Sequence, residues 1–242
     1  MTVDLGATSS YTVLAKAQPS AARSAENTLA VQADVGVSLE IKRSEFITYL
    51  CRVTDEGAAR ALIERTRKVH YDARHHCSAF LLGADRGVQR SNDDGEPAGT
   101  AGVPMLDALR KRETHHGLTD LSDICAVVVR YFGGIKLGAG GLVRAYSDAV
   151  AQALDAATLI RREKLLNYAL AAPYDQAGRW ENDLRSAGYP VLGTDYGATA
   201  AVLTFGVPAL PAKVDTMETM IASLTAGAET AELVGEQWVD LG

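Results

Sequence analysis

Alternating and 3.6-residue apolar patterns divide the chain into two sets of elements. From residue 36, "GVSLEIKRSEFITYLCRV" reads as two strand-like runs joined around Lys42–Arg43–Ser44. "DEGAARALIERTRKVH" follows as a helix: Asp55 is placed to cap it, and Ala59, Leu62, Ile63, Thr66 and Val69 recur on one face. "HCSAFLLG" reads as a strand, with "RGVQRS" as its hairpin partner after the "GADRG" turn. A helix is predicted over 103–113, "VPMLDALRKRE", with Thr100 or a neighbour at its start and Pro104 in its first turn. "DICAVVVRYF" is apolar almost throughout, as in a strand buried on both faces. "GLVRAYSDAVAQALDAATLI" is a helix with Val143, Tyr146, Val150 and Leu154 toward the core.

A shift in charge and the run "RREK" at 161–164 mark a boundary. Beyond it come a strand ("LLNYALAAP"), a helix ("YDQAGRWENDLRSAG"), a hairpin ("YPVLGTDYG" and "ATAAVLTFGV"), a helix ("ALPAKVDTMETMIASLTAG") and a final strand ("AELVGEQWVDL"). The order βαββαβ predicts a ferredoxin-like plait. The expected organisation is therefore α+β in two domains, an α/β domain over 34–162 and the plait over 163–242. Residues 1–33, rich in Ala, Ser and Thr without periodicity, are expected to form a mobile tail.

Charge changes this picture more than composition does. The net charge of −6 conceals an asymmetry: residues 1–165 carry 21 Lys/Arg against 20 Asp/Glu, whereas 166–242 carry 3 against 10. A phosphate-rich partner should be met by the first domain, because the second repels it. Three widely spaced cysteines without a CxxC pair exclude a disulfide framework or a zinc knuckle and predict reduced thiols in the cytoplasm. The N-terminus lacks the pattern of a secretory signal, and no apolar run is long enough to span a bilayer, so no membrane association is expected.

Two stretches carry the candidate chemistry. "RYFGGIKLGAGGLVRAY" at 130–146 sets five glycines among Arg130, Lys136 and Arg144. Bare backbone at Gly133, Gly134 and Gly140, followed by a helix N-terminus, suits a phosphate or carboxylate. The competing reading gives those glycines to tight turns and pairs Arg144 with Asp148. Neither the Walker nor the dinucleotide signature is matched, since Lys136 is followed by Leu137 and residue 143 is valine. "NDDGEPAGTAG" at 92–102 supplies Asp93, Asp94 and Glu96, read as neutralising Arg130 or Arg144, stabilising the start of the 103–113 helix, holding Mg²⁺ or acting as acid and base. In "RHHC", His75 and Cys77 share one strand face; a buried Cys77 with His75 at the cleft edge is favoured over a metal or nucleophile pair. No GxSxG, HExxH or CxxC motif occurs. No cofactor and no tightly held transition metal are expected.

"IKRSEF", "HHCSAF", "NDDGEPAGTAGVP" and "VVVRYFGGIKLGAGGLVRAY", in that order, closely resemble the characteristic segments of the IMPACT family, in its bacterial YigZ-like branch. The resemblance covers about 35–242. It implies a first domain like the second domain of a small-subunit ribosomal protein, and a plait like the last domain of the translocating elongation factor. Eukaryotic relatives regulate translation by binding a partner of a starvation-sensing kinase, in part through a domain that has no counterpart here. For the bacterial branch the implied role is translation-linked or nucleic-acid binding. One departure is Glu45, where the family carries a basic residue.

The expected function is that of a non-enzymatic regulator or binding protein. Its partner is RNA, the ribosome or a translation factor, engaged through a mixed-charge, glycine-rich cleft formed by Arg43, His75, Asp93, Asp94, Glu96, Arg130, Gly133, Gly134, Lys136, Gly140 and Arg144. The plait lacks the stacked-aromatic signature of an RNA-recognition motif and should bind protein, if anything. The alternative is an enzyme acting on a phosphorylated or nucleotide substrate in the same cleft. The two stretches should meet at one end of the first domain's sheet.

Overall fold

The strands and helices lie close to where the apolar pattern places them. The computed structural model describes residues 8–16 and 25–241. In chain order the elements are β1 (Ser10–Leu14), α1 (Ala25–Val31), β2 (Val35–Ile41), β3 (Ser44–Arg52), α2 (Glu56–Val69), β4 (His75–Leu82), β5 (Val88–Asn92), α3 (Gly102–Lys111), β6 (Ile124–Tyr131), α4 (Ala139–Asp155), β7 (Leu159–Ala172), α5 (Tyr174–Ser186), β8 (Val191–Tyr196), β9 (Ala201–Pro208), α6 (Pro211–Leu224) and β10 (Glu232–Leu241). The chain divides into two compact units, one of Tyr11–Arg161 and the other from Arg162 onward together with the described residues 8–10. Among the described residues no helix is long and apolar enough to cross a membrane.

In the first unit a five-stranded antiparallel sheet runs in the order β2-β3-β6-β4-β5. β6 is central and buried on both faces, which accounts for its unbroken run of Ile, Cys, Ala and Val. On one face Phe46, Leu50, Ala79, Leu81, Ala126 and Val128 pack with α3 and α4. On the other, Tyr49, Phe80, Val127 and Val129 pack with Ala59 and Leu62 of α2. Asp55 caps α2 as expected, its carboxylate accepting from Ala58 N at 2.8 Å.

In the second unit β7, β9 and β8 lie side by side, and β10 pairs with the other edge of β7. With α5 and α6 over the core of Leu166, Tyr168, Leu170, Leu203, Phe205, Trp180 and Met217, this is the ferredoxin-like plait.

Three expectations need correction. Residues 8–16 and 25–33 do not form a tail. β1 is buried along Tyr11–Leu14, and its Thr12 amide donates to Asp120 O while Ser122 N donates to Thr12 O. α1 buries Val31 against the α2 face. Five residues of strand and seven of helix are too short to show periodicity. The remaining tail positions, 1–7 and 17–24, lie outside the described residues. Second, "ATLI" at 157–160 is not helical: α4 stops at Asp155, and β7 begins at Leu159, well ahead of "LLNYALAAP". Third, Val143 does not face the core but is 39% exposed, whereas Leu142 is buried. Ala145, Ala149 and Ala153 bring α4 close to the sheet along the 142–146–150 side and leave Val143 on its flank.

One polar chain runs from the buried Tyr49 and His70 out to the exposed Asp72. Tyr131 donates to Asp72 Oδ1 (2.9 Å), so its oxygen accepts from His70 Nδ1 (3.0 Å), and His70 Nε2 in turn accepts from Tyr49 (2.7 Å). His70 is thereby fully satisfied as a neutral ring. Burial, and then the neighbouring His76, hold its pKa below the ordinary histidine value, against the opposing pull of Asp72 and Glu45. The unfolded chain therefore binds the extra proton first. Stability should be complete above about pH 6.5 and decline as pH falls below it, by at most about 1.4 kcal/mol per pH unit for a single proton. Urea unfolding between pH 7.5 and 5 should show a smaller decline for His70→Gln; equal slopes for variant and wild type would remove His70 from the account.

Candidate functional site

The two glycine- and charge-bearing stretches do meet, at the end of the sheet where β3, β6 and β4 align Phe46, Arg130 and His75 in one row. The contact is an ion pair between Arg130 Nη1 and Glu96 Oε1 at 2.6 Å. Both are buried, Arg130 6% and Glu96 9% exposed. Glu96 also accepts from the hydroxyl of Tyr146 on α4 at 2.8 Å, and burial keeps that phenol protonated far above its ordinary range. The Arg130 guanidinium lies between two rings, Phe46 at 5.4 Å and Phe132 at 5.6 Å, and Nη2 sits 3.5 Å from Ser44 Oγ. Arg130 and Glu96 thus hold the site together from beneath.

The other acids of 92–102 are also engaged. A tight turn, with Asp94 at φ 44° and Gly95 at φ 85°, closes through Glu96 N to Asp93 O (3.0 Å) and sends the three carboxylates in different directions. Asp93 turns toward α3, accepting from Gly99 N, Ala101 N and Gly102 N at 2.8, 3.0 and 2.8 Å. Its partial burial opposes ionisation, but these three donors outweigh it and lower its pKa. The N-cap of α3 is Ala101, next to Thr100, and its own side chain makes no capping bond; Asp93 serves in its place from outside the helix, while the Thr100 hydroxyl donates to Pro97 O. Asp94 bridges Arg67 (2.5 Å) and the backbone N–H of His76 (2.6 Å), while its carbonyl oxygen accepts from His75 Nδ1 at 2.9 Å. Cys77 is fully buried, its Sγ 3.0 Å from Asp93 O and 3.3 Å from the Tyr146 hydroxyl; burial pushes its pKa up to about 12. Such a thiol is inert at neutral pH.

The cations are placed differently. Lys42 and Arg43 form the whole loop of the β2–β3 hairpin, with φ of 48° and 66°. A two-residue turn with both φ positive ordinarily takes Asn-Gly or Gly-Gly, so two cations here hold a strained backbone. Both side chains are exposed, as are Lys136 and Arg144, and none of the four has a hydrogen bond or ion pair among the described residues. The bland pairing of Arg144 with Asp148 is not formed. The N-terminus of α4 follows the glycine loop, with Gly138 as its N-cap (φ 72°), no side-chain cap and no acid in its first turn.

The glycines divide by their surroundings. Gly133 is architectural: a Cβ there would lie 1.9 Å from Arg43 O, while its N–H lies 3.2 Å from Ser44 Oγ. Gly134 and Gly140 face open space, where a Cβ would meet nothing within 4 Å. Gly133→Ala should therefore displace the hairpin turn and cost about 1–3 kcal/mol. Gly140→Ala, inside α4, should be neutral or mildly stabilising. Urea unfolding of the two variants tests the contrast, and equal stability of Gly133→Ala and wild type would contradict the packing.

Phe132, 53% exposed, escaped the sequence reading. Strand alternation puts it on the face of Arg130, two residues on, and that was its only available signal.

Comparison with known proteins shows the family of the chain. The family model of the Impact N-terminal domain matches residues 42–154, and that of a domain of unknown function (DUF1949) matches 170–228. IMPACT family member YigZ of Escherichia coli (strain K12) is 42% identical over 205 residues, covering 84% of this chain and 96% of the relative. IMPACT family member YvyE of Bacillus subtilis (strain 168) is 42% identical over 165 residues, covering 68% and 73%. A crystal structure of a hypothetical protein aligns over 93% of this chain and 98% of its own, with 37% identity and a TM-score of 0.57. With a relative this similar along nearly its whole length, the chain belongs to the IMPACT family.

Proposed function

We propose that this protein is a non-enzymatic, translation-linked binding protein that engages RNA phosphates through the glycine-loop end of its first domain. One observation carries the reading: the acids of 92–102 are engaged inside the protein, whereas Lys42, Arg43, Lys136 and Arg144 remain exposed and unpaired among the described residues. A surface that contains its acids and presents its cations attracts polyanions even when the chain is acidic overall. The uncapped start of α4 adds a positive dipole end. The non-enzymatic part rests on the same accounting. Asp93 and Asp94, the candidates for base or metal ligand, already accept three and two hydrogen bonds, and Cys77 is held protonated. The ribosome is a natural source of such RNA for a family of this kind.

The test is retention of the full chain on immobilised single-stranded RNA as salt rises. Binding that weakens linearly on a log–log scale supports the reading. Absence of retention at low salt, or turnover of a nucleotide or phosphorylated compound by the purified protein, overturns it.

A further inference from the structure

Phe132 presents a large apolar ring beside the buried Arg130, and more than half of the residue is exposed. The guanidinium of Arg130 lies over the ring at 5.6 Å, and that guanidinium is fixed by Glu96 and 6% exposed. With a buried cation over it, the ring still belongs to a residue that is 53% exposed, so it is accessible to solvent. The two residues that follow add no side chain around it. Gly133 carries no side chain and presses against Arg43, and at Gly134 even a Cβ would meet nothing within 4 Å. The Arg43 backbone thus packs against the residue next to Phe132, and the side chains of Arg43 and of Lys136, four residues on, are exposed and unpaired among the described residues.

We propose that Phe132 is a stacking platform for one unpaired base of single-stranded RNA, with Arg43 and Lys136 holding the phosphates that flank that base. The proposal rests on the RNA reading above and specifies it. A ring held rigidly by a guanidinium loses little freedom on stacking, and base–aromatic stacking tolerates any base because each has a π face. The arrangement selects single strands, since the bases of a duplex are stacked upon one another and offer no free face.

The experiment measures binding of the full chain to a fluorescently labelled ten-nucleotide RNA and to an abasic strand of equal length and charge, at low salt. Wild type should prefer the base-bearing strand. Phe132→Ala should weaken binding to that strand about tenfold and leave the abasic strand unaffected, and Phe132→Tyr should retain the preference. Phe132→Leu keeps an apolar contact over Arg130 without a π face, and it should behave as the alanine variant does. If wild type binds neither strand, the RNA reading itself fails. If RNA binds but the base makes no difference, or Phe132→Ala and Phe132→Leu match wild type, the platform alone fails. Equal weakening on both strands would also overturn it, because the ring would then act only by holding the loop.

Discussion

Replacing Arg130 by alanine should destabilise the first domain by about 3–5 kcal/mol, because it leaves the Glu96 carboxylate buried with Tyr146 as its one remaining donor. In a unit of this size that corresponds to a fall in Tm of roughly 10 °C. The ion pair itself is worth far less than the cost of breaking it, since both groups had to be desolvated. An Arg130→Met, Glu96→Leu double replacement should therefore recover most of the loss while removing the charge altogether. Differential scanning calorimetry of the two single variants and the double variant forms the cycle. Additive losses would mean that the contact at 2.6 Å carries no coupling, against the geometry.

The second large effect concerns affinity and spares stability. Removing Arg43, Lys136 and Arg144 together should reduce the slope of log affinity against log salt by about 2, at roughly 0.7 per phosphate contact on a single strand. Stability should change by no more than about 0.5 kcal/mol, because all three side chains are exposed and unpaired among the described residues. An unchanged salt slope would show that the phosphates are met elsewhere.

The contrast between these variants marks what the sequence could and could not disclose. It made the plait, the buried β6 and the capped α2 readable, because each has a period of its own long enough to recognise. It also made the encounter of the two charged stretches readable, since opposite charges flanking glycine loops invite it. What it concealed was depth. Nothing in "NDDGEPAGTAG" says that Glu96 is buried and Gly95 exposed, because a loop has no periodicity from which burial can be inferred. Arg130, Arg144 and Lys136 looked alike, yet the sheet register sets Arg130 opposite Phe46 and His75 inside the domain, while the others stay on the surface. Phe132 was hidden for the converse reason: it completes an apolar run and was absorbed into the core strand. β1 and α1 were hidden by brevity.

The hairpin turn at Lys42–Arg43 carries a consequence for anyone who tries to make this protein hardier. Each non-glycine residue forced into the left-handed region costs about 1–2 kcal/mol, so Asn-Gly at these positions is the replacement that a stability screen would select. The same replacement would remove two of the four exposed cations named above, Lys42 and Arg43. With the RNA contacts proposed above, selection for heat resistance and selection for RNA capture would pull this one dipeptide in opposite directions. Thermostable variants that keep their affinity should gain their stability elsewhere in the fold.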